Sequence, residues 1–303
     1  MIIYLAGGIS GNLNGDWKRI MDVYLASLSN EKNRLDKIIN YFLFEEKKGV
    51  YNDDEDLNIF LAGNDGYRKD RFKIKTHNLN ILESFYYLKS QEWMFPLIKE
   101  FKNFLLDSGA FTFMNQSKNH DIDWDAYIEE YADFINKLDI DLFFELDIDS
   151  IVGIDEVERL RHKLEKLTGK KAIPVWHVSR GHAYWLKMVK EYDYVAIGGI
   201  VTKEIRPKQY PIFAQLIKEA HIENCKVHGL GFTNLNGIKK YRFDSVDSTS
   251  WLSGNRFGAV YKFNGSTMIK IDKEAGQRVK NKATAINNFV EWVKFSQYAE
   301  MYL

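Results

Sequence analysis

At 303 residues, 45% of them hydrophobic and 15% aromatic, the chain holds enough apolar material for one large core or two ordinary ones, and an α/β barrel of roughly 250 residues folds as one domain. Forty-two Lys and Arg balance forty-two Asp and Glu, so the overall field selects no polyanion, and a nucleic-acid partner must be met by a local basic patch. The single cysteine, Cys225, excludes an internal disulfide framework and a multi-cysteine zinc site, and fits a reducing compartment such as the cytoplasm.

The opening MIIYLAGGISG is apolar for too short a run to span a bilayer and lacks a basic leader, so it reads as a buried strand; no membrane segment is expected elsewhere. Strands are expected at 2–7, 80–87, 104–111, 141–149, 171–178, 194–201, 225–232 and 243–251, where short runs rich in Ile, Val and Phe recur. Between them, 125–138, 154–167, 182–192 and 210–221 place apolar residues at helical spacing. The alternation predicts βαβ units, and eight strands is the number that closes a (β/α)8 TIM barrel; an open doubly wound sheet is the alternative. Residues 12–79 read as an insertion after the first strand, although NIFLAGN (58–64) echoes YLAGG and could itself supply that strand. Trp93, Met94 and Phe95 read as core. Beyond Trp251 lies a C-terminal extension over 257–303, with a hairpin across Asn264-Gly265 and a closing helix over 284–303. No repeat or low-complexity linker divides the chain, so one compact domain, 1–303, is expected.

In a barrel, chemistry sits at the carboxyl ends of the strands. Polar residues collect there: Glu83, Asp107-Ser108-Gly109, Glu145 with Asp147 and Asp149, His177, Gly198-Gly199, Gly229 with Gly231, and Asp244 with Asp247. A buried carboxylate costs several kcal/mol unless it is paired, so carboxylates inside LFFELDID and FDSVDS point to a site. Any one of them alone reads equally well as a helix cap or turn. Glycines at two successive strand ends, 198–199 and 229–231, suit the close approach of a flat, hydrogen-bonding ligand such as a purine; a phosphate is the alternative. His177 and His228 lie on strands, either lining the pocket or as satisfied core histidines, and no metal-ligand spacing is present.

LLDSGAFTF (105–113), VAIGG (195–199) and VHGLGFTNLNGIKKYRFDSVDSTSW (227–251) together resemble, in order and spacing, the motifs of the tRNA-guanine transglycosylase superfamily over roughly residues 80–256. The resemblance implies base exchange through a covalent aspartyl-glycosyl intermediate. Asp247 matches the nucleophile, with Asp244 the alternative register. Asp107 matches the acid/base beside the departing base, within Asp107-Ser108-Gly109, and Phe111 the ring that stacks on the base. Asp147 matches the carboxylate that reads guanine-like edges, a register that Glu145 and Asp149 leave open. Gly198 and Gly199 match backbone donors to the base carbonyl, and Gly231 lies on the Gly-hydrophobic-Gly strand. Trp176 and His177 stand where the family has a glutamine followed by glycines.

The cysteines of the family's zinc site are absent, so no cofactor or metal is expected, and no RNA-binding module follows. What remains is similar to the reduced, often bacteriophage-associated transglycosylases that insert 7-deazaguanine derivatives (preQ0/preQ1-like) into DNA. DNA is therefore favoured over tRNA, with a partner subunit or homo-oligomer as a possible aid. Arg256 falls where the family places a phosphate-contacting arginine, and Lys239 and Lys240 could extend that patch; solvated surface charge explains them equally well. IYLAGGISG (3–11) also resembles the opening of nucleoside 2-deoxyribosyltransferases, an alternative enzyme reading, and a non-catalytic base- or nucleic-acid-binding barrel is the alternative outside catalysis.

Overall fold

The computed structural model describes residues 1–6, 79–109, 112–113, 122–232, 234–252, 259–271 and 284–303, and the backbone alone of 44–46, 277–279 and 281–283. Phe111, Arg256 and most of the expected insertion, including NIFLAGN, lie outside the described residues.

Seven strands form one all-parallel sheet that curls into a half-barrel. In chain order its members are β1 (Ile2–Ala6), β3 (Asn80–Ser84), β4 (Asn103–Asp107), β5 (Val175–Trp176), β6 (Tyr194–Ile197), β7 (Lys226–Gly229) and β8 (Ser245–Ser248); in space they run β4-β3-β1-β8-β7-β6-β5. β2 (Phe44–Glu46) belongs elsewhere and pairs antiparallel with β11 (Gln277–Val279), linking the expected insertion to the C-terminal extension. The first strand is therefore 2–6, which sits between β3 and β8. The expected strand over 80–87 ends at Ser84, where the chain turns into a short helix, Phe85–Leu88.

The expected closed eight-strand barrel is corrected at one stave. Residues 141–149 form no ladder; they make single bridges, Leu106 to Phe143 on one side and Phe144 to Ile173 on the other. The amide of Phe144 donates to the Leu106 carbonyl at 3.0 Å and that of Ile173 to the Phe143 carbonyl at 2.8 Å. Pairing stops there because Glu145 turns out of the strand to meet the amide of Val175 and two arginines, and Asp149 begins a short helix.

The helices lie where apolar spacing put them. Helix α1 (Trp124–Leu138) is capped by Asp123, which accepts from the Ala126 amide at 2.9 Å, and ends at Asp139 in the left-handed region. Helix α2 (Ile154–Thr168) buries Val157, Leu160, Arg161 and Leu164 and stops at Gly169, where φ is +67°. Helices α3 (Gly181–Glu191), α4 (Ile212–Ile222) and α5 (Leu235–Lys240) follow. After Trp251 come the hairpin strands β9 (Val260–Phe263) and β10 (Met268–Ile271) and the closing helix α6 (Asn281–Tyr302). Asn288 of α6 fastens this extension, donating to the carbonyls of Trp251 and Ala259 and accepting from the Tyr261 amide; Ser296 donates to the Ile3 carbonyl of β1 at 2.9 Å. No described helix is long and apolar enough to cross a membrane.

Two apolar layers result. The larger lies between the sheet's convex face and the helices and includes Trp93, Met94 and Phe95. A smaller cluster on the concave face draws Tyr4, Leu82, Leu105, Phe144, Ile173, Val175 and Ala196 from most of the staves. The two-residue period of a strand assigns these faces, and it sends Ser84, Asp107, Tyr194, His228, Ser245 and Asp247 to the concave side with them.

Candidate active site

Parallel pairing aligns every carboxyl end at one rim, and the concave face brings Asp107 of β4 there in register with Ser84 of β3. Gly109, at φ +84°, turns its amide back onto Asp107 Oδ2 at 3.1 Å. A side chain at Gly109 would strike Tyr86, so the turn needs glycine. Loss of solvent, joined by the nearby charges of Asp247 and Asp147, raises the Asp107 carboxyl to about 6 against the pull of that amide. Neighbouring Ser108 is buried and its carbonyl accepts from Tyr127 at 2.7 Å, so it braces the turn from behind.

Asp247 sits three residues into β8, opposite Tyr4 of β1, and is 7% exposed. Two donors converge on its Oδ1: the amide of Gly231 and, at 3.3 Å, Nε2 of the buried His228. Oδ2 carries no hydrogen bond among the described residues. Gly231 has φ +65°, and a Cβ there would lie 2.2 Å from Val201 Cγ2, so glycine is required to aim its amide at the carboxylate.

Along the mouth, Asp147 receives His177 Nε2 on both oxygens, at 2.8 and 3.0 Å, while His177 Nδ1 faces Glu204 Oε2 at 3.2 Å. Burial works against the imidazolium, but the hydrogen bond and charge of Asp147, with Glu204 and Asp149 behind, raise His177 to about 9. All three acids of this segment have cationic partners. Fully buried Glu145 takes Arg180 on one oxygen and Arg161 on the other, each at 2.8 Å, and Asp149 takes Arg180 Nε at 3.0 Å. Asp147, bonded by His177 and 3.6 Å from Arg180, has the most exposed side chain of the three, at 21% against 13% for Asp149 and 0% for Glu145. Asp147, Asp149 and His177 hold ligand atoms within 4.8 Å of one another, the spacing of a cation site. Arg180 and His177 already supply the positive charge there.

Four expected contacts are corrected. Gly198 cannot offer its amide to a base, because that amide donates to the Trp176 carbonyl at 2.9 Å; its missing side chain makes room for the His177 ring, 2.7 Å from where a Cβ would be. Asp244 lies at the opposite, amino end of β8, where it accepts from the Val227 amide at 2.8 Å and His221 Nε2 at 2.9 Å. Lys239 and Lys240 close helix α5, which runs back from the rim, so they share that far end and not the site. Lys240 borders a surface hollow there with Lys218, His221 and Arg242. Gly199 stays at the mouth at φ +77°, packed against Glu204, with its carbonyl taken by the Ile205 amide.

Arg180, Glu204, Tyr194 and Ser245 escaped the reading of strand ends, and His228, read as either pocket or core, joins Tyr194 and Ser245 on the concave face. Parity along the strands was the available signal: Ser245 shares a face with Asp247, and Tyr194 with Ala196. Cys225 offers no nucleophile, since burial pushes its thiol up to about 12. No described protein family and no characterised protein matches the chain.

Proposed function

We propose that the protein is a base-exchange transglycosylase that replaces guanine in a nucleic acid, DNA before tRNA, with a 7-deazaguanine derivative. One observation carries the reading: two carboxylates from different strands face the same concave side, one fixed by hydrogen bonds to a single oxygen and the other with its carboxyl raised. Asp247 is held by two N–H donors on Oδ1, and among the described residues Oδ2 accepts no hydrogen bond, as a nucleophile requires. Asp107 is half-buried and its carboxyl is raised to about 6, as a group that both gives and takes a proton near neutrality requires. Resemblance in the motifs around these two residues supports the same assignment.

The proposed chemistry is double displacement through an oxocarbenium-like transition state. Asp247 Oδ2 attacks the anomeric carbon as the bond to guanine breaks, and Asp107 hands its proton to the leaving base. The incoming base then loses a ring N–H proton to Asp107 and takes the sugar from Asp247. Asp147, fixed by His177, faces the base. A target within a helix must be flipped out to reach this depth. The same reading assigns the finer fold as a (β/α)8 barrel with 142–145 as its eighth stave, supported by the bridges on both sides of that segment and by Phe144 in the concave cluster. A nucleic-acid substrate and one buried thiol suit the cytoplasm.

The test is incorporation of labelled guanine or a 7-deazaguanine base into duplex DNA and unmodified tRNA by wild type, Asp247→Ala and Asp107→Ala. Label entering DNA and lost in both variants is the expected result. Label in tRNA alone moves the acceptor to RNA. No label in either overturns the proposal and leaves free nucleosides or mere binding.

A further inference from the structure

Behind Asp247 runs a polar column that the double displacement does not use. His228 is fully buried, with the rings of Tyr4 and Phe144 at 5.9 and 5.3 Å. Its Nε2 faces Asp247 Oδ1 at 3.3 Å and its Nδ1 faces Ser245 Oγ at 2.6 Å. Ser245 in turn is hydrogen-bonded to the Tyr194 hydroxyl. Aspartate, histidine and serine in this order have the composition of a hydrolase triad. Here, however, Ser245 begins β8 at the amino end and is 1% exposed beneath the concave aromatic layer, where no substrate reaches.

We propose that His228 is a positioning residue which, with Ser245 and Tyr194 behind it, pins Asp247 Oδ1 and thereby makes Oδ2 the attacking oxygen. The proposal rests on Asp247 being the nucleophile. A lone carboxylate rotates about its Cβ–Cγ bond and presents either oxygen. Two anchored donors on the same oxygen, the Gly231 amide and His228 Nε2–H, remove that freedom. The carboxylate end sets the tautomer: ionised Asp247 can only accept, so the ring proton lies on Nε2, Nδ1 accepts from the Ser245 hydroxyl, and Ser245 Oγ accepts from Tyr194. Reversing the serine would move that proton to Nδ1 and strip Asp247 of a donor. When Oδ2 bonds to the sugar, Oδ1 becomes the ester carbonyl and still accepts both N–H groups. When the ester breaks, the returning negative charge meets donors already in place, so nothing reorganises. His228 itself neither gains nor loses a proton.

The experiment pairs nitrogen-15 NMR of the histidine rings with kinetics of base exchange. Wild type is expected to show His228 as the Nε2–H tautomer, and Ser245→Ala to lose that fixed state. His228→Leu is expected to lower kcat on the order of 100-fold with KM for the incoming base unchanged. His228→Gln, whose amide N–H can replace the donor, is expected to recover most of that loss. An Nδ1–H tautomer in wild type, or His228→Leu folded with kcat within about threefold of wild type, overturns the proposal. Should His228→Leu fail to fold, an unaltered kcat and tautomer in Ser245→Ala overturns it equally. If wild type exchanges no base while the Nε2–H tautomer is present, the nucleophile reading has failed and this role falls with it, leaving the hydrogen-bond chain as a fact of the fold.

Discussion

One aspartate precedes strand β8 and another lies within it three residues on, each bonded to a histidine, and the two pairs differ in everything but composition. At the amino end, His221 and Asp244 meet at 2.9 Å with side chains 40% and 34% exposed. Toward the rim, His228 and Asp247 meet at 3.3 Å with side chains 0% and 10% exposed. The outer pair sits in water, where such contacts contribute little, and Asp244 serves mainly to accept the Val227 amide. The inner pair lies where water cannot screen it and where every parallel strand ends, so its charge is available to a substrate. Residue type did not separate structure from chemistry here; depth and strand end did.

The sharpest break of that comparison is to neutralise each aspartate in turn. Asp247→Asn is expected to lower base exchange by at least about 10⁴-fold, the scale of losing a nucleophile. Asp244→Asn should leave exchange within about twofold and cost about 1 kcal/mol of stability, the worth of a half-exposed hydrogen bond. Incorporation of labelled base and urea unfolding read the two quantities; equal losses of exchange would erase the distinction between the two ends.

Asp107 sharpens the same point, because its burial has a thermodynamic signature. The carboxyl is raised from 3.8 to about 6 in the folded chain, so folding favours its protonated form and stability from this group declines as pH rises from about 4 to about 6. Asp107→Asn is expected to slow exchange by about 10²- to 10⁴-fold, yet to gain up to about 3 kcal/mol of stability at pH 7 and little at pH 4. In wild type, formation of the covalent intermediate should slow as pH climbs through about 6, since the leaving base needs the proton. A Tm that falls in Asp107→Asn at pH 7 would contradict the raised carboxyl.

A pH-dependent effect on stability is expected at His177, whose charge is held by Asp147 and Glu204. Its folded value is raised from 6.5 to about 9. Its contribution is therefore complete below about 6.5 and lost as pH rises through about 9. His177→Gln should cost about 1–3 kcal/mol at pH 6, and the gap from wild type should close by pH 10. A pH-independent gap in chemical denaturation would assign the loss to packing against Gly198 instead.

Much of this was legible in the chain. Helical spacing located α1 to α4, and Asn264-Gly265 marked the hairpin, because both signals are local: one side of a helix must be apolar, and a tight turn needs φ above zero, as at Gly265 (+97°). Asp107, Asp147 and Asp247 were legible as carboxylates set in apolar strands. Asp244 was not separable from Asp247, and Lys239 and Lys240 looked like neighbours of the site, because one-dimensional proximity does not tell which end of a strand or helix a residue occupies.

The sequence by itself determined the alternation of strands and helices and the need for glycine at tight turns, since each follows from local sterics and the burial of apolar faces. Tertiary structure alone decided that Gly198 makes room for His177, that Glu145 and Asp149 are consumed by Arg180, and that Tyr194, Ser245 and His228 line up behind Asp247. Those facts join residues on different strands, and only closing the distance between strands creates the contacts that give them their roles.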